Sequence, residues 1–216
     1  MEKAYVLTRD TASFDVDPQM GFTPLCPNEL PVAGGTDIVD ELNKQATKGH
    51  LRLASKDAHN PKGEWIADDF RTQFSPVGMP NVDIKWNRHC EVGTMGMHFL
   101  PGLPYHLDYD FVAYKGIEAD CHPYGACYHD LGDKRSTGVI EFLKQKNVTT
   151  VIVGGLATDY CVKTTAVQLK QAGFDVIVNL AACRGISPDT ISTAVASMGL
   201  IGIKIVANAD DIIVVR

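Results

Sequence analysis

Cys161 is the residue whose position in the sequence could make it a nucleophile. It follows the apolar, β-branched run 148–153 and the pair Gly154–Gly155, and residues 162–169 then repeat apolar side chains at helical spacing. The pattern predicts a buried strand, a tight turn and a helix that begins at the thiol. Because the positive end of a helix favours an anion, we expect a thiolate at Cys161 and an oxyanion site beside it. The alternative is a structural cysteine packed between sheet and helix.

Asp17 and Lys115 are the acid–base candidates, since each lies at the end of a predicted strand. An ammonium beside a carboxylate and a thiol could stabilise both, and the carboxylate could carry a proton from the thiol to a leaving group. The alternative roles are an Asx turn before Pro18 for Asp17 and a solvated surface position for Lys115.

Asp57, His59 and His89 could hold a metal ion. One carboxylate and two imidazoles leave coordination positions open, which is typical of a catalytic zinc, iron or manganese site. Asp57 and His59 lie two residues apart in a polar turn, and His89 lies near Trp86 further along the chain. Taken alone, the Asp57–His59 pair is more typical of an ordinary polar loop.

The elements that must position these residues alternate between strand and helix. Strands are predicted at residues 12–18, 51–54, 110–114, 148–153, 175–180 and 202–206, and helices at residues 36–48, 136–147, 160–172 and from about residue 187. This alternation predicts an α/β fold with a doubly wound, mostly parallel sheet and helices on both faces. Ligands of such sheets bind beyond the carboxyl ends of the strands, where the thiol, the acid, the ammonium and the metal candidates all fall.

Two segments depart from this alternation. Residues 57–108 are rich in Pro, Gly, Asp and His, which predicts a metal-binding, substrate-covering insertion within a single domain of residues 1–216. The C-terminal run 210–216 predicts either an added edge strand or a contact between subunits. A homo-oligomer is therefore left open.

Composition narrows the classes of partner. The net charge of −6, with lysines and arginines scattered along the chain, argues against nucleic acid or an anionic membrane and favours a small neutral substrate. The six cysteines contain no CxxC pair and predict reduced thiols. No secretory signal or long apolar run is visible, so we expect a cytoplasmic protein.

Five motifs in a fixed order resemble the isochorismatase-like cysteine hydrolases, and within them the nicotinamidases, also called pyrazinamidases. The motifs are Val16–Gln19 with Phe22, Asp57-x-His59, His89–Gly96, Lys115–Gly116 and Gly155–Val162. The resemblance spans nearly the whole chain. Each motif alone is weak, whereas all five in order are specific.

The resemblance implies particular roles for these residues. It implies a catalytic triad of Asp17, Lys115 and Cys161, with an oxyanion hole formed by the amides of Ala157 and Cys161. It also implies a cis peptide bond between Leu156 and Ala157. The substrate-binding residues would be Phe22, Trp86, Tyr124 and Leu156.

The resemblance further implies one divalent metal ion, zinc, iron or manganese, bound by Asp57, His59 and His89. Many members carry another histidine shortly after the Asp-x-His turn, where this chain has Glu64 and Trp65. We therefore expect three protein ligands plus water. The segment 119–124 and the residues Gly125 and Cys127 also depart from the usual pattern.

The implied activity is hydrolysis of the carbon–nitrogen bond of a linear amide. The substrate would be nicotinamide, converted to nicotinate and ammonia through a thioester in NAD salvage, and pyrazinamide would be a second substrate. One alternative is a related cysteine amidohydrolase for an N-carbamoyl or ureidoacrylate substrate, a group that generally lacks a metal. A non-catalytic binding protein on the same fold is the alternative from a different class.

Overall fold

The computed structural model describes residues 3–215, and within them ten strands and four α-helices follow one another along the chain. The strands are β1 (Ala4–Leu7), β2 (Thr11–Val16), β3 (Leu51–Asp57), β4 (Pro76–Met79), β5 (Val82–Ile84), β6 (Phe111–Lys115), β7 (Thr150–Leu156), β8 (Asp175–Arg184), β9 (Lys204–Val206) and β10 (Ile212–Val215). The α-helices are α1 (Val39–Ala46), α2 (Val139–Gln145), α3 (Lys163–Gln171) and α4 (Pro188–Leu200).

Six strands form one sheet in the order β6-β3-β2-β7-β8-β9, and every neighbouring pair is parallel. Apolar residues of α2, α3 and α4 join Phe14 of β2 in the main core cluster. On the other face of the same strand, Ser13 accepts a hydrogen bond from Gln45 of α1. Helices therefore cover both faces, and the predicted doubly wound parallel fold is confirmed.

The central strand β2 is buried along its whole length. The alternation of Phe14 and Val16 with Asp15 therefore marks two covered faces rather than one apolar and one solvent-facing side. A strand inside a parallel sheet is packed against helices on both sides, so its polar residues must find partners within the protein. Asp15 does so with Arg52 and Tyr109.

Several predicted boundaries were wrong, although the elements exist. β3 continues through Ser55 and Lys56 to Asp57, so Asp57 ends a strand and does not lie in the turn after it. The helix predicted from Thr36 begins as a 3₁₀ turn at Gly35–Ile38, and the Thr36 side chain does not cap it. The helix predicted at 160–172 opens with a π-helical turn, Thr158–Val162.

The helix predicted from Ser136 begins only at Val139. The Ser136 hydroxyl accepts a hydrogen bond from the amide of Gly138, which has a left-handed backbone, so Ser136 stabilises the turn before α2.

The segment between β3 and β6 contains a short antiparallel hairpin, β4–β5, and several single 3₁₀ turns. The C-terminal strand β10 pairs in parallel with β1 and forms a separate two-stranded sheet. The run 210–216 is thus not an edge strand of the main sheet, and β1 was not predicted at all. Residue 216 lies outside the described part of the chain.

All six cysteines are free thiols, as predicted. Within residues 3–215, no helix combines the length and the apolar character needed to cross a membrane.

Candidate active site

The candidate site lies where β2, β3, β6 and β7 end. Asp57 and Lys115 are paired in register at the ends of β3 and β6, and Val16 is paired with Gly155 on β7. A side chain at Gly155 would collide with the backbone of Val16, so glycine is required for this close approach. Register therefore brings the strand-end residues of four strands to one edge.

Lys115 is fully buried at the centre of the site. Its Nζ donates a hydrogen bond to Oδ1 of Asp57 and lies 3.0 Å from Oδ2 of Asp17. The same Nζ lies 3.8 Å from Sγ of Cys161 and 3.3 Å from the carbonyl oxygen of Pro123. One ammonium thus contacts both carboxylates and the thiol.

Asp17 is held in place by Ser55. The Ser55 hydroxyl donates to Oδ1 of Asp17 at 2.6 Å and accepts from the Asp17 amide at 3.1 Å. Asp17 has a left-handed backbone with φ of 44°, a region that Asp tolerates better than most residues. Sγ of Cys161 and one carboxylate oxygen each from Asp17 and Asp57 lie within 4.8 Å of one another.

The protonation states follow from burial and from Lys115. Burial raises the pKa of Cys161 well above its ordinary value, although the Lys115 ammonium opposes this shift. This direction is opposite to the one that the helix start favours, and burial is its largest cause. Burial also raises the pKa of Asp17, with Lys115 opposing. The thiol therefore needs a base, and Asp17 lies within reach of it.

Asp57 and Lys115 form the charged pair of the site. Burial acts to raise the pKa of Asp57, but Lys115 and then His59 outweigh it and hold this pKa well below its ordinary value. Burial acts to lower the pKa of Lys115, but Asp17 and Asp57 together raise it well above the ordinary value. Asp57 is thus an anion and Lys115 a cation.

The turn between β7 and α3 presents Ala157 and Cys161. The Leu156–Ala157 peptide bond is cis, as predicted. The Ala157 carbonyl accepts hydrogen bonds from the amides of Tyr160 and Val162, each at 3.1 Å. Among the described residues, the Ala157 amide itself has no acceptor, so it is free to bind an oxygen of a ligand.

The three predicted metal ligands lie together. Nε2 of His59 is 3.4 Å and Nε2 of His89 is 4.0 Å from Oδ2 of Asp57, the oxygen that faces away from Lys115. Nδ1 of His89 lies 2.6 Å from the carbonyl of Asn87, a contact that orients the ring as in known metal sites. A side chain at Gly116 would collide with the His59 ring.

These residues fit a divalent metal ion. Nε2 of His59 is buried and has no hydrogen-bond partner among the described residues, which leaves it available as a ligand. Burial lowers the pKa of His89 to about 3, so its ring is neutral, the form that binds metals. One carboxylate and neutral imidazoles are the donors that zinc and iron accept.

The sequence interpretation missed His122. The ring nitrogens of His59, His89 and His122 lie within 4.8 Å of one another. The fully buried Trp65 packs against the same three rings, with centroid distances of 4.4, 5.1 and 4.8 Å. The signal that could have revealed His122 is its position shortly after Lys115, beyond the end of β6.

A cavity that opens to solvent adjoins the thiol. Of the predicted substrate-binding residues, Phe22, Trp86 and Tyr124 line it. Leu156 does not line it, which corrects the prediction: its side chain is fully buried in the core with Ile38 and its neighbours. The sequence interpretation also missed the lining residues Leu30, His122, Pro123, Tyr160 and Ile186.

Hydrogen bonds fix the aromatic wall of the cavity. Trp86 Nε1 donates to the Tyr124 hydroxyl at 3.1 Å, and this hydroxyl donates to Asp83 at 2.8 Å. The Trp86 ring meets the Tyr160 ring edge to face, with centroids 4.9 Å apart. The cavity thus has an aromatic wall, and its lining includes the Cys161 thiol and the rings of His89 and His122.

Comparisons with known proteins identify the family and similar folds. A model of the Isochorismatase domain matches residues 16–210. The chain is 29% identical over 174 residues to a nicotinamidase of Acinetobacter baylyi, covering 79% of each chain. A solved nicotinamidase/pyrazinamidase of Acinetobacter baumanii superposes with a TM-score of 0.85 at 28% identity, covering 94% of this chain and 98% of that one. A pyrazinamidase of Pyrococcus horikoshii in complex with zinc gives 0.73 at 30% identity, covering 91% and 98%.

Proposed function

The chain belongs to the isochorismatase family, and on this basis we propose that it hydrolyses the carboxamide of nicotinamide to nicotinate and ammonia. The observation that carries the proposal is the contact of one buried ammonium, Lys115, with both Asp17 and Cys161 beside an aromatic cavity. Relatives named nicotinamidase and pyrazinamidase at 28 to 30% identity support the same substrate class. Pyrazinamide is the second substrate that we expect.

The cavity suits a flat heteroaromatic amide. Phe22 and Trp86 are two of its aromatic walls, and apolar and aromatic side chains of this kind are typical of small-molecule sites. Among the described residues, its lining carries no lysine or arginine that would select an anionic substrate. Its polar side chains include those of Asp57, His89, His122 and Cys161. A small neutral ring with one amide group matches this lining.

Asp17 and Cys161 perform the first half of the reaction. Asp17 accepts the thiol proton, and the sulfur attacks the amide carbon to give a tetrahedral intermediate. The amides of Ala157 and Cys161 hold the oxyanion, and each such donor typically contributes about 2.7–4 kcal/mol. Asp17 then gives the proton to the leaving nitrogen, so ammonia departs and a thioester to Cys161 remains.

Water completes the second half. Asp17 takes a proton from a water molecule, whose oxygen attacks the thioester carbon. The carbon–sulfur bond breaks, nicotinate leaves, and the proton returns from Asp17 to the Cys161 sulfur. Lys115 keeps its proton and offsets the negative charge as it moves between Asp17 and the sulfur.

Asp57, His59 and His89 would bind the divalent metal ion, zinc, iron or manganese. Bound there, the ion would supply a Lewis-acid site that orients the ring nitrogen of the substrate. Asp57 would contribute one carboxylate oxygen to this site while the other accepts from Lys115. The covering role of the segment 57–108, the cytoplasmic location and the state of oligomerisation stay predictions.

An ammonia-release assay tests the proposal. Purified protein would be supplied separately with nicotinamide, pyrazinamide, benzamide, which lacks the ring nitrogen, and an N-carbamoyl compound. We expect rapid turnover of nicotinamide and pyrazinamide and slow turnover of benzamide. The Cys161→Ala variant, prepared in parallel, controls for contaminating amidases.

Two outcomes would contradict the proposal. Turnover of the N-carbamoyl compound alone would identify the related amidohydrolase class instead. A folded protein that releases no ammonia from any of these compounds would favour a binding protein.

A further inference from the structure

We propose that His122 is a fourth protein ligand of the metal ion, next to Asp57, His59 and His89. The inference rests on the proposed function in one respect, namely that this function includes a metal ion at the site. It replaces the expectation of three protein ligands plus water. It also assigns a role to a segment, 119–124, in which the sequence departs from the family pattern.

His122 is a buried side chain without a partner. Only 4% of its surface is exposed, and neither ring nitrogen makes a hydrogen bond with any described residue. Burying an imidazole costs free energy when its polar atoms lose water and gain nothing in return. A ligand that binds one of these nitrogens would remove that cost, and the question is which ligand the surroundings favour.

The surroundings favour a metal ion. The ring nitrogens of His122, His59 and His89 lie within 4.8 Å of one another, a separation at which one ion could contact all three. The His122 ring is stacked on that of His59 at a centroid distance of 5.0 Å and an angle of 13°. Nε2 of His59 is also unpartnered, so two orphaned imidazoles lie side by side at the same place.

The backbone holds His122 in this position. Its amide donates to the carbonyl of Asn81, between β4 and β5, at 2.8 Å. The carbonyl of the next residue, Pro123, accepts from Lys115 Nζ at 3.3 Å. His122 is therefore fixed between the β4–β5 hairpin and the buried ammonium, as a preorganised ligand must be.

Trp65 is the aromatic neighbour of this cluster. It lies shortly after His59 in the chain. Here the indole ring is fully buried and packs against all three imidazoles, closing one side of the cluster.

The resulting donor set is one carboxylate and three imidazoles. This set favours zinc or another late divalent ion over magnesium or calcium, which prefer oxygen ligands. Asp57, His89 and His122 also line the aromatic cavity, so the ion would remain accessible to a substrate from that side.

Direct measurement of metal binding tests the inference. Metal-free wild type, His122→Ala and His122→Phe would be titrated with Zn²⁺ alone by calorimetry against a competing chelator. The phenylalanine variant keeps an aromatic ring stacked on His59. His50→Ala, which removes an exposed histidine outside the site, is the matched control. We expect both His122 variants to bind Zn²⁺ at least about tenfold more weakly and the control to bind as wild type does.

A second readout reports the ligands themselves. Loading the same proteins with Co²⁺ gives ligand-field absorption bands that depend on coordination number and donor type. We expect the bands of both His122 variants to differ from those of wild type and of His50→Ala. Thermal unfolding of the metal-free proteins would establish that each variant is folded.

The outcomes separate this inference from the proposed function. Unchanged Zn²⁺ affinity and Co²⁺ bands in folded His122 variants would overturn the inference, even if KM for nicotinamide rises, since His122 would then be only a cavity wall. Failure of wild type to bind Zn²⁺ would overturn it as well. Zn²⁺ binding that depends on His122 in a protein that releases no ammonia would overturn the proposed function alone.

Discussion

The ammonium of Lys115 lies 3.0 Å from Oδ2 of Asp17, in a part of the molecule that solvent does not reach. The same ammonium donates to Asp57, whose second oxygen faces the histidines. One buried cation therefore belongs to both the acid–base pair and the candidate metal site. Because buried charges are weakly screened, a change of charge at either site is felt at the other.

Replacing the thiol tests the nucleophile. We expect Cys161→Ala to lower kcat for nicotinamide by about 10⁴–10⁶-fold, the loss seen when a catalytic nucleophile is removed. Metal content should be unchanged, because Cys161 is outside the cluster of imidazoles. Cys26→Ala removes a thiol that does not line the cavity and serves as control. Near wild-type turnover by Cys161→Ala in the ammonia assay would remove Cys161 from the mechanism.

Variants of two buried aspartates, Asp15 on β2 and Asp17 just after it, distinguish an effect on catalysis from an effect on stability. Asp17→Asn keeps the shape of the side chain but removes the proton acceptor, so we expect kcat to fall by about 10²–10⁴-fold. Asp15→Asn weakens the buried pair with Arg52, so we expect lower stability, by about 1–3 kcal/mol, with kcat retained. Urea unfolding and steady-state kinetics on both variants measure the contrast. Equal losses of kcat in the two variants would contradict the role of Asp17.

The pH dependence of kcat/KM reports the ionisation of Asp17. Burial raises its pKa, while the Ser55 hydroxyl lowers it by donating to the ionised form. Asp17 is a base only when ionised, so kcat/KM falls as pH drops through this pKa, above the range of an ordinary aspartate. Removing the donor in Ser55→Ala raises the pKa further and should move this acidic limb to higher pH.

Ser13→Ala is the control for that shift. Ser13 is a buried serine of β2 that bonds Gln45 and does not contact Asp17, so its loss should leave the acidic limb in place. An acidic limb that stays fixed or moves to lower pH in Ser55→Ala would show that another group sets it.

Removal of a metal ligand tests the candidate metal site. We expect His59→Ala to lose metal during purification, with an affinity at least about tenfold lower, and to show a raised KM for nicotinamide. Elemental analysis of the purified protein and steady-state kinetics are the measurements, with His50→Ala alongside. A metal-to-protein ratio equal to that of wild type would exclude His59 from the ligand set.

The sequence was sufficient for the parallel sheet and for most residues of the site. Asp17 and Lys115 lie at the ends of predicted strands and Cys161 follows a third, and strands of a parallel sheet end at one edge. The similarity of five motifs predicted their roles. Local pattern and residue type therefore determined which residues meet.

Tertiary packing decided the ionisation of Cys161, the pairing of the terminal strands and the direction of Leu156. The ionisation of Cys161 depends on how deeply the thiol is buried, which a helix start does not reveal, and burial reverses the expected direction of its pKa. The pairing of β1 with β10 joins the two ends of the chain, and no local pattern indicates such a pairing. Leu156 packs with Ile38 and Leu42 in the core and does not line the cavity.

The position of His122 is the clearest example of what could not be predicted from the sequence. This histidine lies in an irregular segment without periodicity, and its contact with His59 depends on the path of a loop through space. Spacing along a strand or helix predicts which side chains share a face, because the backbone there repeats. A loop has no such repeat, so only the folded chain could bring this imidazole to the other two.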